Sequence, residues 1–156
     1  MGYNPPMSDE RFTVRIAVHL ILIKDGKVLL MRRKNTGWED GKYGLAGGHL
    51  DGHETVTDAM IREAEEETGI SIARKNLQVV HTTHRMSTNN IEYMDVYFTA
   101  SVWKGEPGIA EPDKCDDMKW FPLAELPENM LSYDRQAMEY FGKGVTFSEV
   151  GWSKTG

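Results

Sequence analysis

Four glutamates crowd into residues 62–68 (REAEEET), and their spacing places three of them together. On an α-helix, residues three or four positions apart share one face, so Glu63, Glu66 and Glu67 point the same way. Glu65 points elsewhere. Like charges at these spacings repel by about 0.2–0.5 kcal/mol per pair. Carboxylate oxygens are hard ligands, so a face that carries three of them suits Mg²⁺ or Mn²⁺.

The alternative interpretation is an acidic helix face that is simply solvated, since most charged side chains are exposed. Two features of the sequence favour a metal site instead. The acidic run follows a glycine-rich turn that contains histidine at residues 47–53, and its carboxylates are not interleaved with lysines. The sequence therefore predicts a divalent-cation site on this helix.

The overall composition is that of an ordinary soluble globular protein. The 156 residues are 40% hydrophobic and 27% charged, with a net charge of −6. This acidic balance argues against a surface for DNA or RNA polymers. The start of the chain lacks a signal-peptide pattern, and no apolar stretch approaches the roughly 18–20 residues that cross a bilayer. With Cys115 as its one cysteine, we expect a cytoplasmic protein without a membrane segment.

The elements that must position the glutamates are predicted from periodicity and turn signals. The glutamates fall in a helix from about Thr55 to Thr68, which Thr55 and Asp58 cap and Gly69 ends. Runs of β-branched and alternating apolar residues predict strands, and a second periodic stretch predicts a final helix. These strands cover residues 12–23, 28–33, 77–86, 91–103 and 118–123, and the final helix covers residues 133–141 before an irregular tail.

This order of elements predicts a single α/β (α+β) domain with helices packed on a mixed sheet. The turn at Asp25-Gly26 makes the first two strands a hairpin, and the strands around residues 89–90 form a second antiparallel pair. Residues 1–10 are predicted to be a flexible N-terminal arm.

The acidic stretch also carries a longer motif. Gly48, Glu54 and residues 62–70 (REAEEETGI) stand at the spacing of the Nudix box and match each of its defined positions, so the chain resembles the Nudix hydrolase family. The resemblance implies the Nudix fold, a mixed β-sheet sandwiched between helices with the box as a loop–helix–loop, over residues 11–156. It also implies metal-dependent hydrolysis of a nucleoside diphosphate that is linked to a further group, X.

The same resemblance implies a role for each residue of the box. Glu63, Glu66 and Glu67 would hold the metal, Mg²⁺ or else Mn²⁺, and one of them would orient or deprotonate the attacking water. The carbonyl of Gly48 would be a further metal ligand. Arg62 would pair with the glutamates and fix their rotamers.

A segment outside the box indicates which subgroup of the family the chain resembles. Residues 105–127 are similar to a segment of the MutT-type nucleoside triphosphate pyrophosphohydrolases, in which a Glu-Pro-x-Lys-Cys motif precedes a strand that contains tryptophan. Here residues 111–115 (EPDKC) precede Trp120. By this resemblance Glu111 would be an additional metal ligand, with a solvated loop residue as the alternative. Lys114 would contact phosphate or, alternatively, brace its loop.

Two further residues are predicted to contact the substrate. Arg33 ends the second strand, where members of that subgroup contact phosphate, although arginine at a strand end otherwise faces solvent. Tyr133 opens the last helix near the position where relatives contact the nucleobase. It would stack on the base, although aromatic residues more often belong to the core.

The leading functional prediction is hydrolysis of a nucleoside triphosphate, including oxidised or modified ones, to the monophosphate and pyrophosphate. The first alternative is hydrolysis of another diphosphate conjugate, such as ADP-ribose, a nucleotide sugar, a dinucleoside polyphosphate or NADH. The second is a sensor that binds a nucleotide without cutting it, which the complete set of box acids argues against. The predicted partner is a small-molecule nucleotide, and an exposed sheet edge would allow a homodimer.

Overall fold

The computed structural model of the chain describes residues 11–153, so the arm predicted at residues 1–10 lies outside the described residues. The strands, in chain order, are β1 (Arg15–Ile21), β2 (Ile23–Lys24), β3 (Lys27–Arg33), β4 (Tyr43–Gly44), β5 (Ala46–His49), β6 (Leu77–Met86), β7 (Glu92–Ala100), β8 (Cys115–Pro122) and β9 (Phe147–Val150). The α-helices are α1 (Val56–Thr68), between β5 and β6, and α2 (Ser132–Gly142), between β8 and β9. Neither helix is long and apolar enough to cross a membrane.

The strands form two sheets. The larger sheet has the order β5-β1-β7-β6-β9 and is mixed, because β1 runs parallel to β7 and β6 runs parallel to β9. In the smaller sheet β3 pairs antiparallel with β2, β4 and β8. A mixed sheet combined with two helices confirms the predicted α/β (α+β) class.

Hydrophobic residues on the two faces of β1 and β3 pack into two separate cores. On one face Val18 and Leu20 pack into the cluster that includes Met60 of α1. On the other face Ile21 and Leu30 belong to the cluster that includes residues of α2. This double burial explains why the sequence of β1 is apolar on both faces towards its end, as expected for a central strand.

Helix α1 begins and ends where its local sequence predicts. The Thr55 hydroxyl accepts a hydrogen bond from the Asp58 N–H at 3.0 Å, which satisfies one of the free amides of the first turn. At the other end Gly69 adopts a left-handed conformation with a φ of 76°, and its N–H donates to the Glu65 carbonyl. The buried residues of the helix are Ala59, Met60, Ala64 and Thr68, whereas Glu65 and Glu66 are exposed and Glu63 and Glu67 are partly buried.

The structure differs from the sequence prediction at the end of the chain, where the predicted irregular tail contains strand β9. Its parallel pairing with β6 is supported by the buried side chain of His81, a residue of β6. The His81 Nδ1–H donates to the Val145 carbonyl at 2.8 Å, and its Nε2 bonds to the Ser148 hydroxyl at 2.8 Å. A strand this short has too few alternating residues to be recognised, so its contacts with β6 define it.

Candidate active site

Arg62 lies at the centre of a group of carboxylates on α1 and on the loop before it. Its Nη1 lies 2.9 Å from Glu63 Oε1 and 3.3 Å from Glu66 Oε2, and its Nη2 donates to Glu54 Oε1 at 2.8 Å. Glu54 in turn accepts a hydrogen bond from the Asp51 N–H. The guanidinium therefore offsets part of the repulsion among the glutamates and ties the helix to the preceding loop.

Two adjacent glycines of β5 set the positions of two of the glutamates. The Gly47 N–H donates to Glu67 Oε2 at 2.9 Å. A Cβ atom at Gly48 would lie 2.4 Å from the carboxyl carbon of Glu63, closer than any ordinary contact. A Cβ atom at Gly47 would instead strike the Val18 carbonyl of the neighbouring strand at 2.1 Å. The pair of glycines thus allows β5 to lie close to both β1 and the acidic face of α1.

We call the cleft in front of these side chains the carboxylate pocket. It has a volume of about 520 Å³ and is lined by Glu63, Glu66, Glu67 and Glu111, together with three cations, Arg32, Arg33 and Lys114. All of these except Arg32 are predicted site residues, and the structure brings them to one cleft. Glu111 is partly exposed, and its carboxylate lies 3.9 Å from the Lys114 ammonium.

Burial is the main cause of the raised pKa values of two of these carboxylates. Burial raises the pKa of Glu67 to about 8, and the negative charges of Glu63 and Glu111 add to the increase. The hydrogen bond from Gly47 acts in the opposite direction. Burial also raises the pKa of Glu63, although the nearby Arg62 opposes the shift. A divalent cation bound beside Glu63 and Glu67 would favour their ionised forms and so oppose both increases.

Among the described residues, the carboxylates alone do not form a complete metal-binding site. Within residues 11–153, no three acidic, histidine or cysteine side chains are grouped closely enough to hold a metal ion. Arg62 draws Glu63 and Glu66 to itself, and Glu67 is turned towards Gly47. The donor set nevertheless fits Mg²⁺, which binds through one or two carboxylates, waters and substrate phosphates and not through an all-protein cage.

Arg33 organises the loop at residues 34–42, which borders the cleft. Its Nε donates to the Trp38 carbonyl at 2.8 Å, and its Nη2 donates to the Thr36 hydroxyl at 3.0 Å. Asp40 completes the loop by accepting hydrogen bonds from the Thr36 hydroxyl and from the Gly37 N–H. These bonds lower the pKa of Asp40, the Thr36 side chain having the largest effect. Arg33 is therefore partly buried and oriented, and does not simply face solvent.

A second cavity, which we call the Arg85 pocket, adjoins the carboxylate pocket. Its volume is about 350 Å³, at the lower end of the range of about 300–1,000 Å³ for small-molecule sites. The two cavities share Arg33, Gly47 and Gly48 in their walls. Tyr133, predicted to stack on a base, lines the Arg85 pocket, but its ring already packs against the guanidinium of Arg85.

Sequence reasoning missed the charged network beneath the Arg85 pocket. Asp95 is fully buried, and its carboxylate accepts hydrogen bonds from Arg85 and from His19. Asp134 is also buried, where it accepts from the Leu45 N–H at 2.9 Å. The sequence does contain a signal for this network, namely charged or polar residues inside apolar strands, as at His19 and Asp95. Such residues are rarely buried without a partner.

The protonation of this network follows from its contacts. Burial alone would lower the pKa of His19, but the nearby Asp134 and Asp95 carboxylates raise it overall. Conversely, burial would raise the pKa of Asp95, but His19 and Arg85 hold it below the usual range. The pairing of opposite charges therefore keeps Asp95 ionised inside the protein.

Comparison with known proteins assigns this fold and cleft to a family. The family model described as NUDIX domain matches residues 13–141. These residues span the Nudix box, the strands of both sheets up to β8 and most of α2. The chain therefore belongs to the Nudix family, as its box predicted, and is a pyrophosphohydrolase. Nudix hydrolases act on nucleoside diphosphate derivatives and generally use divalent metal ions.

Individual relatives are similar over most of their length. An ADP-ribose pyrophosphatase from Methanocaldococcus jannaschii is 30% identical over 125 residues, which are 80% of this chain and 72% of that protein. An oxidized purine nucleoside triphosphate hydrolase from Danio rerio is 30% identical over 144 residues, covering 78% of this chain and 86% of that protein. Among solved structures, a MutT NUDIX hydrolase from Burkholderia pseudomallei is 32% identical, with a TM-score of 0.75 over 82% of this chain and 98% of that one.

Proposed function

We propose that this Nudix hydrolase converts a nucleoside triphosphate to the monophosphate and pyrophosphate with Mg²⁺ as its cofactor. The observation that carries the proposal is the carboxylate pocket, where four glutamates adjoin Arg33 and Lys114. Carboxylates suit a hard cation, whereas the arginine and lysine suit the oxygens of a polyphosphate. The similarity to an oxidized purine nucleoside triphosphate hydrolase supports the choice of substrate.

In this proposal Glu63, Glu66 and Glu67 hold the cation, with Glu111 and the Gly48 carbonyl as further ligands. A bound divalent cation neutralises phosphate charge and lowers the pKa of a coordinated water. One of the three box carboxylates accepts the proton of the attacking water. Because Glu63 and Glu66 are now paired with a guanidinium, their carboxylates must partly leave it to reach the cation.

The remaining residues hold and orient the substrate. Arg62 keeps the glutamate side chains in place through the contacts that it retains, which makes it a positioning residue. Arg33 and Lys114 contact the phosphates, and the bonds from Arg33 to its loop fix the guanidinium plane before substrate arrives. The nucleoside extends into the adjoining Arg85 pocket, which Tyr133 lines. This division places the scissile phosphate between the two cavities, where Gly47 and Gly48 form the shared wall.

The test is pyrophosphate release with Mg²⁺ and a panel of nucleoside triphosphates. We expect Glu66→Gln and Glu67→Gln to lose most turnover and to keep the wild-type circular dichroism spectrum. Glu65→Gln is the matched control, because Glu65 lies on the same helix but is exposed and lines neither pocket. Wild-type rates in both active-site variants would refute the metal-site assignment.

The second candidate function is hydrolysis of ADP-ribose or a related diphosphate conjugate, which the similarity to an ADP-ribose pyrophosphatase favours. Both reactions use the same carboxylate pocket and differ in the group attached to the second phosphate. Chromatography of the products separates them: a nucleotide and a sugar phosphate, with no pyrophosphate, would replace the first choice with the second.

The proposal includes a cytoplasmic location and a homodimer, both of which remain predictions. Light scattering coupled to size-exclusion chromatography measures the oligomeric state, and a monomer at micromolar concentration would remove the dimer from the proposal.

A further inference from the structure

Arg85 is a cationic side chain that is almost completely buried. It lies on β6 with only 6% of its surface exposed, and burying an arginine without a partner is strongly unfavourable. Asp95 on the neighbouring strand supplies the partner, since Arg85 Nε and Nη2 donate to its two oxygens at 2.5 and 3.1 Å. The guanidinium and the carboxylate thus form a buried two-pronged ion pair whose charges balance.

Two tyrosines cover the flat guanidinium. The Arg85 Cζ lies 4.3 Å from the centre of the Tyr93 ring and 4.0 Å from that of the Tyr133 ring. Both distances are well inside the range of about 6 Å for cation–π contacts. With stacking on the rings and pairing along one edge, the guanidinium has little freedom left, so binding a ligand would cost little side-chain entropy.

One nitrogen of this guanidinium has no protein acceptor. Among residues 11–153, hydrogen bonds are formed by Nε and Nη2 of Arg85, and Nη1 has no partner. Every fully buried side-chain nitrogen or oxygen in that part of the chain has a hydrogen-bond partner. Nη1 is therefore not sealed in the core, and the Arg85 side chain lines both the Arg85 pocket and a smaller cavity of about 130 Å³. Nη1 is thus an N–H donor, on a nearly buried side chain, that remains available to a bound ligand.

The charges around this donor bear on the kind of acceptor it suits. Asp95 already balances the charge of Arg85, so Nη1 does not need an anionic acceptor. The rest of the pocket lining carries both signs of charge, with Asp134 as a carboxylate and Arg15 and Arg33 as cations. A neutral carbonyl oxygen is therefore sufficient to accept the N–H.

We propose that Arg85 is a specificity-determining residue, which donates Nη1–H to a carbonyl oxygen on the edge of the bound nucleobase. This inference rests on the proposed function, because it requires the nucleoside to occupy the Arg85 pocket. Among purines, guanine and hypoxanthine carry an oxygen at position 6, whereas adenine carries an amino group that is a donor there. Two donors that face each other leave both unpaired, so the enzyme should favour 6-oxo purines over 6-amino purines.

Inosine and adenosine nucleotides provide the test, because they differ only in the group at position 6 and in the N1 proton that accompanies the 6-oxo form. We expect the wild-type kcat/KM for inosine triphosphate to exceed that for adenosine triphosphate by about tenfold or more, the effect of one hydrogen bond to a charged donor. Calorimetry with inosine and adenosine monophosphate, without metal, should show the same preference in Kd. This second measurement does not depend on turnover.

The decisive variant is Arg85→Met combined with Asp95→Asn, which removes the donor and avoids leaving a buried unpaired carboxylate. Both the kinetic and the Kd preference should fall to about one. The matched control is Arg74→Met with Asp58→Asn, which removes an arginine–aspartate pair of 2.7 Å on the exposed surface. It should keep the wild-type preference, and both proteins should keep the wild-type circular dichroism spectrum.

The outcomes separate the two proposals. A wild-type enzyme that binds and cuts adenosine nucleotides as well as inosine nucleotides, or better, would overturn the role of Arg85. A preference for inosine that is unchanged in the Arg85 variant would also overturn it. Should the double variant fail to fold, the wild-type monophosphate affinities still decide the matter. Tighter binding of inosine monophosphate without hydrolysis of any triphosphate would support the Arg85 inference and refute the proposed function.

Discussion

Replacing Gly48 by alanine should separate activity from stability in this enzyme. The added Cβ atom would lie 2.4 Å from the carboxyl carbon and from one oxygen of Glu63. Ordinary contacts begin at about 3.4 Å, so the carboxylate must withdraw by about 1 Å. The end of a glutamate side chain can make this movement by rotating its own bonds, and the backbone need not shift. The substitution therefore displaces one proposed metal ligand and leaves the core unchanged.

The expected size of the effect follows from that displacement. A misplacement of about 1 Å in a catalytic group can cost about 10²-fold in rate, so kcat for Gly48→Ala should fall by about that factor. Withdrawal also weakens the 2.9 Å contact between Glu63 and Arg62, but this pair is partly exposed and contributes little to stability. The free energy of unfolding should thus change by less than about 1 kcal/mol.

The assay is pyrophosphate release at saturating substrate and Mg²⁺, together with urea unfolding of the same preparation. Gly142→Ala is the matched control, because beyond its own helix backbone and chain neighbours no atom lies within 4 Å of the added Cβ, and Gly142 lines neither pocket. The control should retain wild-type turnover. A Gly48→Ala enzyme with activity within about threefold of wild type would refute the link between the Glu63 position and catalysis.

Three further predictions address other parts of the molecule. His81→Ala removes both hydrogen bonds that support β9 and leaves a cavity, so urea unfolding should show a loss of about 2–4 kcal/mol. Asp40→Ala releases the loop that borders both pockets, so steady-state kinetics should show a raised KM with a smaller change in kcat. Millimolar Mg²⁺ should raise Tm, more so at about pH 8.5 than at about pH 6.5, because Glu67, whose pKa is about 8, binds a cation in its ionised form. In Glu67→Gln this pH dependence should be lost.

The helix and its acidic face could be predicted from the sequence because the information is local. The cap at Thr55, the stop at Gly69 and the three-and-four spacing of the glutamates all lie within one turn or two of the residues they affect. The tight turn at Asp25-Gly26 is equally local, as the pairing of Lys24 with Lys27 confirms. The predicted first strand is divided, however, because only β2 pairs with β3 and β1 lies in the larger sheet. Periodicity and capping therefore determined α1, the strands with strong alternation and the order of the proposed ligands.

The tertiary structure decided which distant residues meet. The position of β1 between β5 and β7 in the larger sheet places His19 next to Asp95, although 76 residues separate them along the chain. The same sheet order sets Arg85 between two tyrosines, one of which comes from the start of α2. No local pattern encodes such pairings, because they depend on crossovers and register between remote strands. The sequence thus determined the family and the bond that is cut, whereas the packing of β5, β6, β7 and α2 decided the shape and charge of the pocket beside it.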